Sequence, residues 1–212
     1  MFTETIDRAV MRVIRDGVEY AATYDVDACN PLESFSLKGI AIERNERNSM
    51  AYNPDGVMGS YNSARDELDN AVDALEYEIN TIRQSFGDDW WNHIDEETDE
   101  YLTGMVEDIV DCERNLKSYH VFTYKETALH GAPEFEVVVD TELFKESWGD
   151  TEAEWEDIYK GLAMDYAYWA EGEVYGIGYT DAEGNEDTIW EIMGYEIEDD
   201  NKLVTACNMY LR

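Results

Sequence analysis

The sequence predicts an α+β fold, an antiparallel helix pair joined to a mixed region of short antiparallel β-hairpins. Two stretches repeat apolar residues at steps of three and four, the period of a helix face, and several others alternate apolar with polar residues, the period of a strand. The 212 residues are 44% hydrophobic and 13% aromatic, which is enough for a real core and unlike an acidic disordered tail.

Taken in order, the first element is a helix expected from about Glu4 to Asp16. Ile6, Val10, Val13 and Ile14 share one face of it, Thr3 or Thr5 caps it, and Gly17 ends it. "VEYAATYDV" (18–26) alternates Val18, Tyr20, Ala22 and Tyr24 and reads as a strand, with a continued helix as the rival. "SFSLKGIAIE" (34–43) reads as a second strand and "NPDG" (53–56) as a turn. A helix capped by Ser63 then carries Leu68, Val72, Leu75, Ile79 and Ile82 on one stripe and stops near Phe86–Gly87. A second helix carries Tyr101, Leu102, Met105, Ile109, Cys112 and Leu116. The two are expected to lie antiparallel, with Trp90 and Trp91 plugging the end of the pair. Beyond them, "YHVFTYKE" (119–126) and "EFEVVVD" (134–140) read as strands. Thr151 and Glu154 form a capping box for a helix through Trp155, Ile158, Leu162, Tyr166 and Trp169. "EVYGIGYT" and "DTIWEIMGY" form a hairpin around "DAEGNE", and "DDNKLVTACNMYL" reads as a terminal helix.

Charge divides the chain more sharply than structure does. Fifty acids face fifteen bases, a formal charge of −35. Residues 1–60 are nearly neutral, with ten acids and six bases, whereas 66–113 hold seventeen acids and the single base Arg83. Residues 134–200 hold twenty-two acids and two lysines, Lys145 and Lys160. This gives a near-neutral segment 1–60 (helix plus strands), an acidic helical hairpin 61–118 and an acidic α+β region 119–212. Such acidity disfavours direct contact with nucleic acid or an anionic membrane, both of which want a basic footprint. It also repels itself in the compact state, so it calls for a reason.

Catalytic constellations are weak. "YGIGYTDAEG" has G-x-G without a third glycine, in a hairpin context, and reads as strand and turn glycines. His93, His120 and His130 are not at ligand spacing, and "DAEGNED" (181–187) lacks the ligand order of a calcium loop. Paired carboxylates near tryptophan suit a glycosidase, but fifty carboxylates make such proximity common by chance. The expectation is a non-enzyme without metal or cofactor. Cys29, Cys112 and Cys207 are scattered, with no C-x-x-C, which fits a reducing cytoplasm. "MFTETIDRAVMRVIRDG" has no long apolar run and is not read as a signal peptide, and no window approaches the roughly 18 apolar residues of a membrane span.

The segment "AEGEVYGIGYTDAEGNEDTIWEIMGYE" (170–196) resembles a hairpin recurring in small acidic proteins of bacteriophages and plasmids, through an acid before "VYG", a glycine-bearing acidic turn and a tryptophan-containing return strand ending in "GY". That resemblance implies a mobile-element setting and no particular activity. In charge pattern alone, the chain looks like the DNA-mimic anti-defence proteins of phages, the anti-restriction and anti-CRISPR proteins.

Three readings of the carboxylates compete: a solvated surface without a specific role, adaptation to high salt, and mimicry of nucleic acid. Against salt adaptation, Glu outnumbers Asp (twenty-eight to twenty-two) and the first quarter is nearly neutral. The favoured expectation is an inhibitor that occludes the basic DNA- or RNA-binding groove of a host defence protein, restriction or CRISPR machinery, in the host cytoplasm. The residues expected to bind the partner are Asp66, Asp69, Asp73, Glu76, Asp88, Asp89, Asp95, Glu96, Glu97, Asp99, Glu100, Glu107, Asp108 and Asp111, with Glu152, Glu154, Glu156 and Asp157 as a second patch. The alternative is a phage or plasmid module that binds a host protein through apolar surface: the tryptophan pair, the tyrosine-rich hairpin and the N-terminal segment, which could also form a homodimer.

Overall fold

A two-residue turn fixes the first element. Asp16 and Gly17 are both left-handed (φ 53° and 80°), and Arg15 pairs with Val18 across them, the geometry that Asp-Gly favours in a hairpin. Met11–Arg15 is therefore a strand, β1, and the helix expected over Glu4–Asp16 is corrected for its described part. Met11 and Val13 turn toward the core, whereas Ile14, placed on the expected helix face, is exposed. The computed structural model describes residues 8–34, 37–44, 51–148 and 155–211, so residues 4–7 of that expectation, and the Thr151/Glu154 capping box, lie outside the described residues.

After β1 come β2 (Val18–Tyr24), α1 (Pro31–Ser34), β3 (Ile40–Arg44), β4 (Ala51–Tyr52), α2 (Val57–Phe86) and, beyond a 3₁₀ turn at Gly87–His93, α3 (Glu96–Leu116). Then follow β5 (Tyr119–Lys125), β6 (Glu134–Asp140), α4 (Thr141–Trp148), α5 (Trp155–Ala170), β7 (Val174–Thr180), β8 (Glu186–Met193) and α6 (Asp200–Tyr210). The α+β expectation is met: two four-stranded antiparallel sheets run in the orders β1-β2-β7-β8 and β4-β3-β6-β5. Each sheet joins a pair of strands from residues 1–60 to a pair from 119–212, through β2–β7 in the first and β3–β6 in the second, so these two stretches share their cores.

Each sheet buries a face for a legible reason. In the first, Tyr20, Ala22 and Ile177 point to one side, where Leu203, Ala206 and Cys207 of α6 cover them. Asp199 caps α6 by accepting from the amides of Asn201 and Lys202, both at 2.8 Å. In the second, Ile40, Ile42, Phe135, Val137 and Val139 meet α5 and Phe144 in an aromatic core. Phe144 meets Tyr159 edge-on at 4.9 Å, and Phe135 meets Tyr166 edge-on at 5.9 Å. On the other face, Ala41 and Val138 receive Val57 and Met58, the start of α2.

Two boundaries move. α2 begins at Val57, after the left-handed Gly56, and not at Ser63, because Val57, Tyr61 and Ala64 continue its apolar stripe onto the sheet. Of the strand expected over 34–43, Ser34 belongs to α1, residues 35–36 lie outside the described residues, and the strand begins only at Ile40 because Gly39, left-handed at φ 72°, turns the chain just before it. A side-chain carbon at Gly39 would lie 2.6 Å from the backbone nitrogen of Phe144. The "DAEGNE" hairpin forms as expected, with Asp181 accepting from the amides of Glu183 and Asn185.

Candidate functional site

The antiparallel helix pair is an arm. The fully buried residues of α2, Val57, Met58 and Ala64, all lie in its first eight positions, where it seats on the second sheet. From there to Phe86 it runs on for about 33 Å at 1.5 Å per residue, accompanied among the described residues by α3 and the 3₁₀ turn. Every residue of α3 and of the connecting turn is at least partly exposed.

Leu68, Leu75, Ile79 and Ile82 of α2, with Leu102, Met105, Ile109, Cys112 and Leu116 of α3, form the half-buried seam that the sequence indicated. Turned from that seam, Asp66, Asp69, Asp73 and Glu76 fall within an arc of about 80° at about 100° per residue. On α3, Glu96, Glu100, Glu107 and Asp111 fall within about 60° on the side opposite the seam, with Asp108 beside them. All of these are exposed, as are Glu97 and Asp99 in the first turn of α3 and Asp88 and Asp89 in the 3₁₀ turn. Asp111 meets Arg114 at 2.6 Å, and Asp89 lies 3.8 Å from His93.

Asp95 is exposed as well and also has a structural task. It is the cap of α3, accepting from the amide of Thr98 at 2.8 Å. The Thr98 side chain, then that amide, hold its carboxyl below the usual aspartate range. Its neighbours Glu96, Glu97 and Asp99 crowd the first turn, where the positive end of the helix dipole favours them.

The tryptophans do not plug the arm as expected. Trp90 is half-buried, but Trp91 is 60% exposed and meets the Trp90 ring edge-on at 6.2 Å. Beside them Phe86 and His93 stack at 5.1 Å. The physical reason is position: among the described residues, none beyond the distal turn offers a second indole a surface to pack against. Tyr101 and Val72, both read as seam residues, are exposed, as are Tyr77, Val106 and Val110. Val106 and Val110 stand one helical turn apart, an apolar pair that the seam pattern left out.

The second acidic patch is described only in part. Glu156 and Asp157 are exposed in the first turn of α5, on the body, and Glu152 and Glu154 lie outside the described residues. Glu156 accepts from Lys160 at 2.7 Å, which lowers its pKa. Among the described residues no group of three His, Cys, Asp or Glu side chains is placed to hold a metal ion, and no helix is long and apolar enough to cross a membrane.

Compared with protein-family models, with curated proteins and with solved structures, the chain matches none.

Proposed function

We propose that the protein is a nucleic-acid mimic whose arm enters the basic DNA- or RNA-binding groove of a host defence protein and blocks it. One observation carries this reading. Residues 66–113 hold seventeen acids and one base on an arm of about 33 Å, one net charge per about 2 Å. Duplex DNA carries one per about 1.7 Å. The charges are anchored on helices, so little entropy is lost in ordering them on binding. The repulsion they suffer in the free protein is relieved when a lysine- and arginine-rich surface arrives. Restriction or CRISPR machinery, acting in the host cytoplasm, is the target class to try first.

The experiment is a set of charge reversals. Glu96, Glu97, Asp99 and Glu100 are changed together to lysine, with Asp95 kept to preserve the cap. Inhibition of DNA binding by restriction and CRISPR effector complexes should disappear while the circular dichroism spectrum is retained. Inhibition equal to that of the parent would defeat the proposal.

A second reading has its own support in the exposure of Trp91 at the tip. Tryptophan is over-represented among residues that anchor protein interfaces. Under this reading Trp91→Ala removes binding, and the affinity changes little between low and moderate salt.

A further inference from the structure

A cleft of about 610 Å³ opens where the two sheets meet, between the β5–β6 loop, the end of β2 and the segment leading from α5 into β7. Its volume falls in the range of small-ligand sites. Tyr24, Tyr168 and Tyr175 line it together with the carboxylates of Glu173 and Glu198, and His130 also lines it. No lysine or arginine is among the described lining residues.

These side chains are held in place. Tyr24 and Tyr175 stack with ring centres 5.0 Å apart, and the Tyr175 hydroxyl donates to Glu173. Tyr168 is buried and meets Tyr195 edge-on at 5.2 Å. Gly194 lets the chain pass close to the Tyr168 ring, since a side-chain carbon there would approach it to 3.1 Å. The loop that closes one side is braced by Glu126, a buried carboxylate that accepts from the Tyr124 hydroxyl and, at 2.9 Å, from the amide of Ala128. Within that loop Gly131 and Ala132 are both left-handed (φ 83° and 45°), a conformation a non-glycine residue keeps only under constraint.

Charge sets what the cleft can take. Among the described residues Glu126 has no basic partner, although a buried carboxylate is ordinarily compensated. Glu126, Glu198 and Glu173 all act on the Tyr168 hydroxyl; burial first, and then these charges, push it up to about 12, so the phenol stays protonated at neutral pH. Neutral aromatic faces carry negative potential, and a cation above them is attracted most when its hydration is weak. A hydrated metal ion wants several convergent oxygens, whereas an ammonium ion clothed in alkyl groups wants aromatic walls and a nearby carboxylate.

We infer that this cleft is a binding site for an alkylated ammonium ion, the headgroup found in choline and in methylated lysine, seated beside the stacked pair Tyr24 and Tyr175, with Tyr168 in the wall, and neutralised by Glu173. The inference does not depend on the arm or on its partner.

Choline, N-trimethyl-lysine amide and 3,3-dimethylbutan-1-ol, the uncharged isostere of choline, are titrated against the full-length protein at constant ionic strength. Calorimetry and tyrosine ring NMR shifts report binding. Choline should saturate with a Kd on the order of 1 mM or tighter, and the alcohol should bind at least about tenfold more weakly. Tighter binding of either ammonium compound upholds the site and tells whether it prefers a free molecule or a side chain. Tyr24→Leu keeps apolar bulk at a half-exposed position, and Glu173→Gln keeps an acceptor for Tyr175. Each should weaken choline by about fivefold or more. Reversal of Asp66, Asp69, Asp73 and Glu76 on the arm should leave choline binding within about twofold, since none of them lines the cleft and exposed charges are screened. Equal binding of the alcohol, absence of saturable choline binding, or retained affinity in both cleft variants would each overturn the inference. So would an equal loss in the arm variant, which would mark diffuse attraction to an acidic protein.

Discussion

Asp73→Lys separates what the arm's charges do for the fold from what they do for binding. Asp73 sits between Asp69, four residues before it, and Glu76, three residues after it, all exposed on one side of α2. Each such like-charge neighbour costs a helix about 0.2–0.5 kcal/mol, and an opposite-charge neighbour gains a similar amount. Lysine at 73 turns two repulsions into two attractions, a change of about 1–2 kcal/mol before screening and about 1 kcal/mol after it. The substitution also replaces a poor helix former with a good one. Backbone amides of residues 70–80 should then exchange with deuterium about fivefold more slowly, because the local opening equilibrium shifts by that amount. Raising ionic strength to about 1 M, where the screening length is about 3 Å, should slow the parent's exchange as well and narrow the gap. Binding to a basic partner should nevertheless weaken. Exchange that is unchanged or faster in the variant would refute the claim that crowded like charges limit the arm's stability.

Further outcomes follow from the same geometry. Asp95→Ala should fray the start of α3 and lower helical ellipticity. The Asp95 carboxyl titrates below its unfolded value near 4, so its contribution is complete above that value and is lost as pH falls through the lower folded value. The parent and the variant should therefore converge in a pH series only in acid. Gly39→Ala combines a left-handed backbone (φ 72°) with a contact of 2.6 Å to the Phe144 amide nitrogen, and should cost about 2–4 kcal/mol in urea unfolding. Phe144→Ala removes a fully buried ring packed edge-on against Tyr159, for a loss of about 3–5 kcal/mol by the same measurement. Trp91→Ala, at the exposed tip, should change stability by less than about 0.5 kcal/mol.

What the sequence revealed depended on how far each pattern ran. The two arm helices were legible because apolar residues keep a helical period over Leu68–Ile82 and Tyr101–Leu116, and the end at Gly87 because glycine closes the last turn. β6 matches its expected span, Glu134–Asp140, through its run of three valines. The hairpin of β7 and β8 was announced by a glycine-bearing acidic turn. β1 was not legible: over the five residues "MRVIR" a helical face and an alternating strand fit equally well, and pairing with β2 decides between them. The exposure of Trp91 depends on the arm ending in solvent, which no local pattern records. The cleft draws its walls from Tyr24, Tyr168 and Tyr175 and its brace from Glu126; apart from the last tyrosines these are far apart in the chain, and their meeting follows from how the sheets are ordered.

Competition between the arm and duplex DNA for one basic protein bears most directly on mimicry. An effector complex blocked by the protein is immobilised, loaded with it at low salt, and washed with a duplex carrying the effector's own recognition sequence. Displacement of the protein in proportion to duplex bound, lost when Glu96, Glu97, Asp99 and Glu100 are lysine, is the expected result. A ternary complex in which duplex and protein occupy the effector together would contradict it.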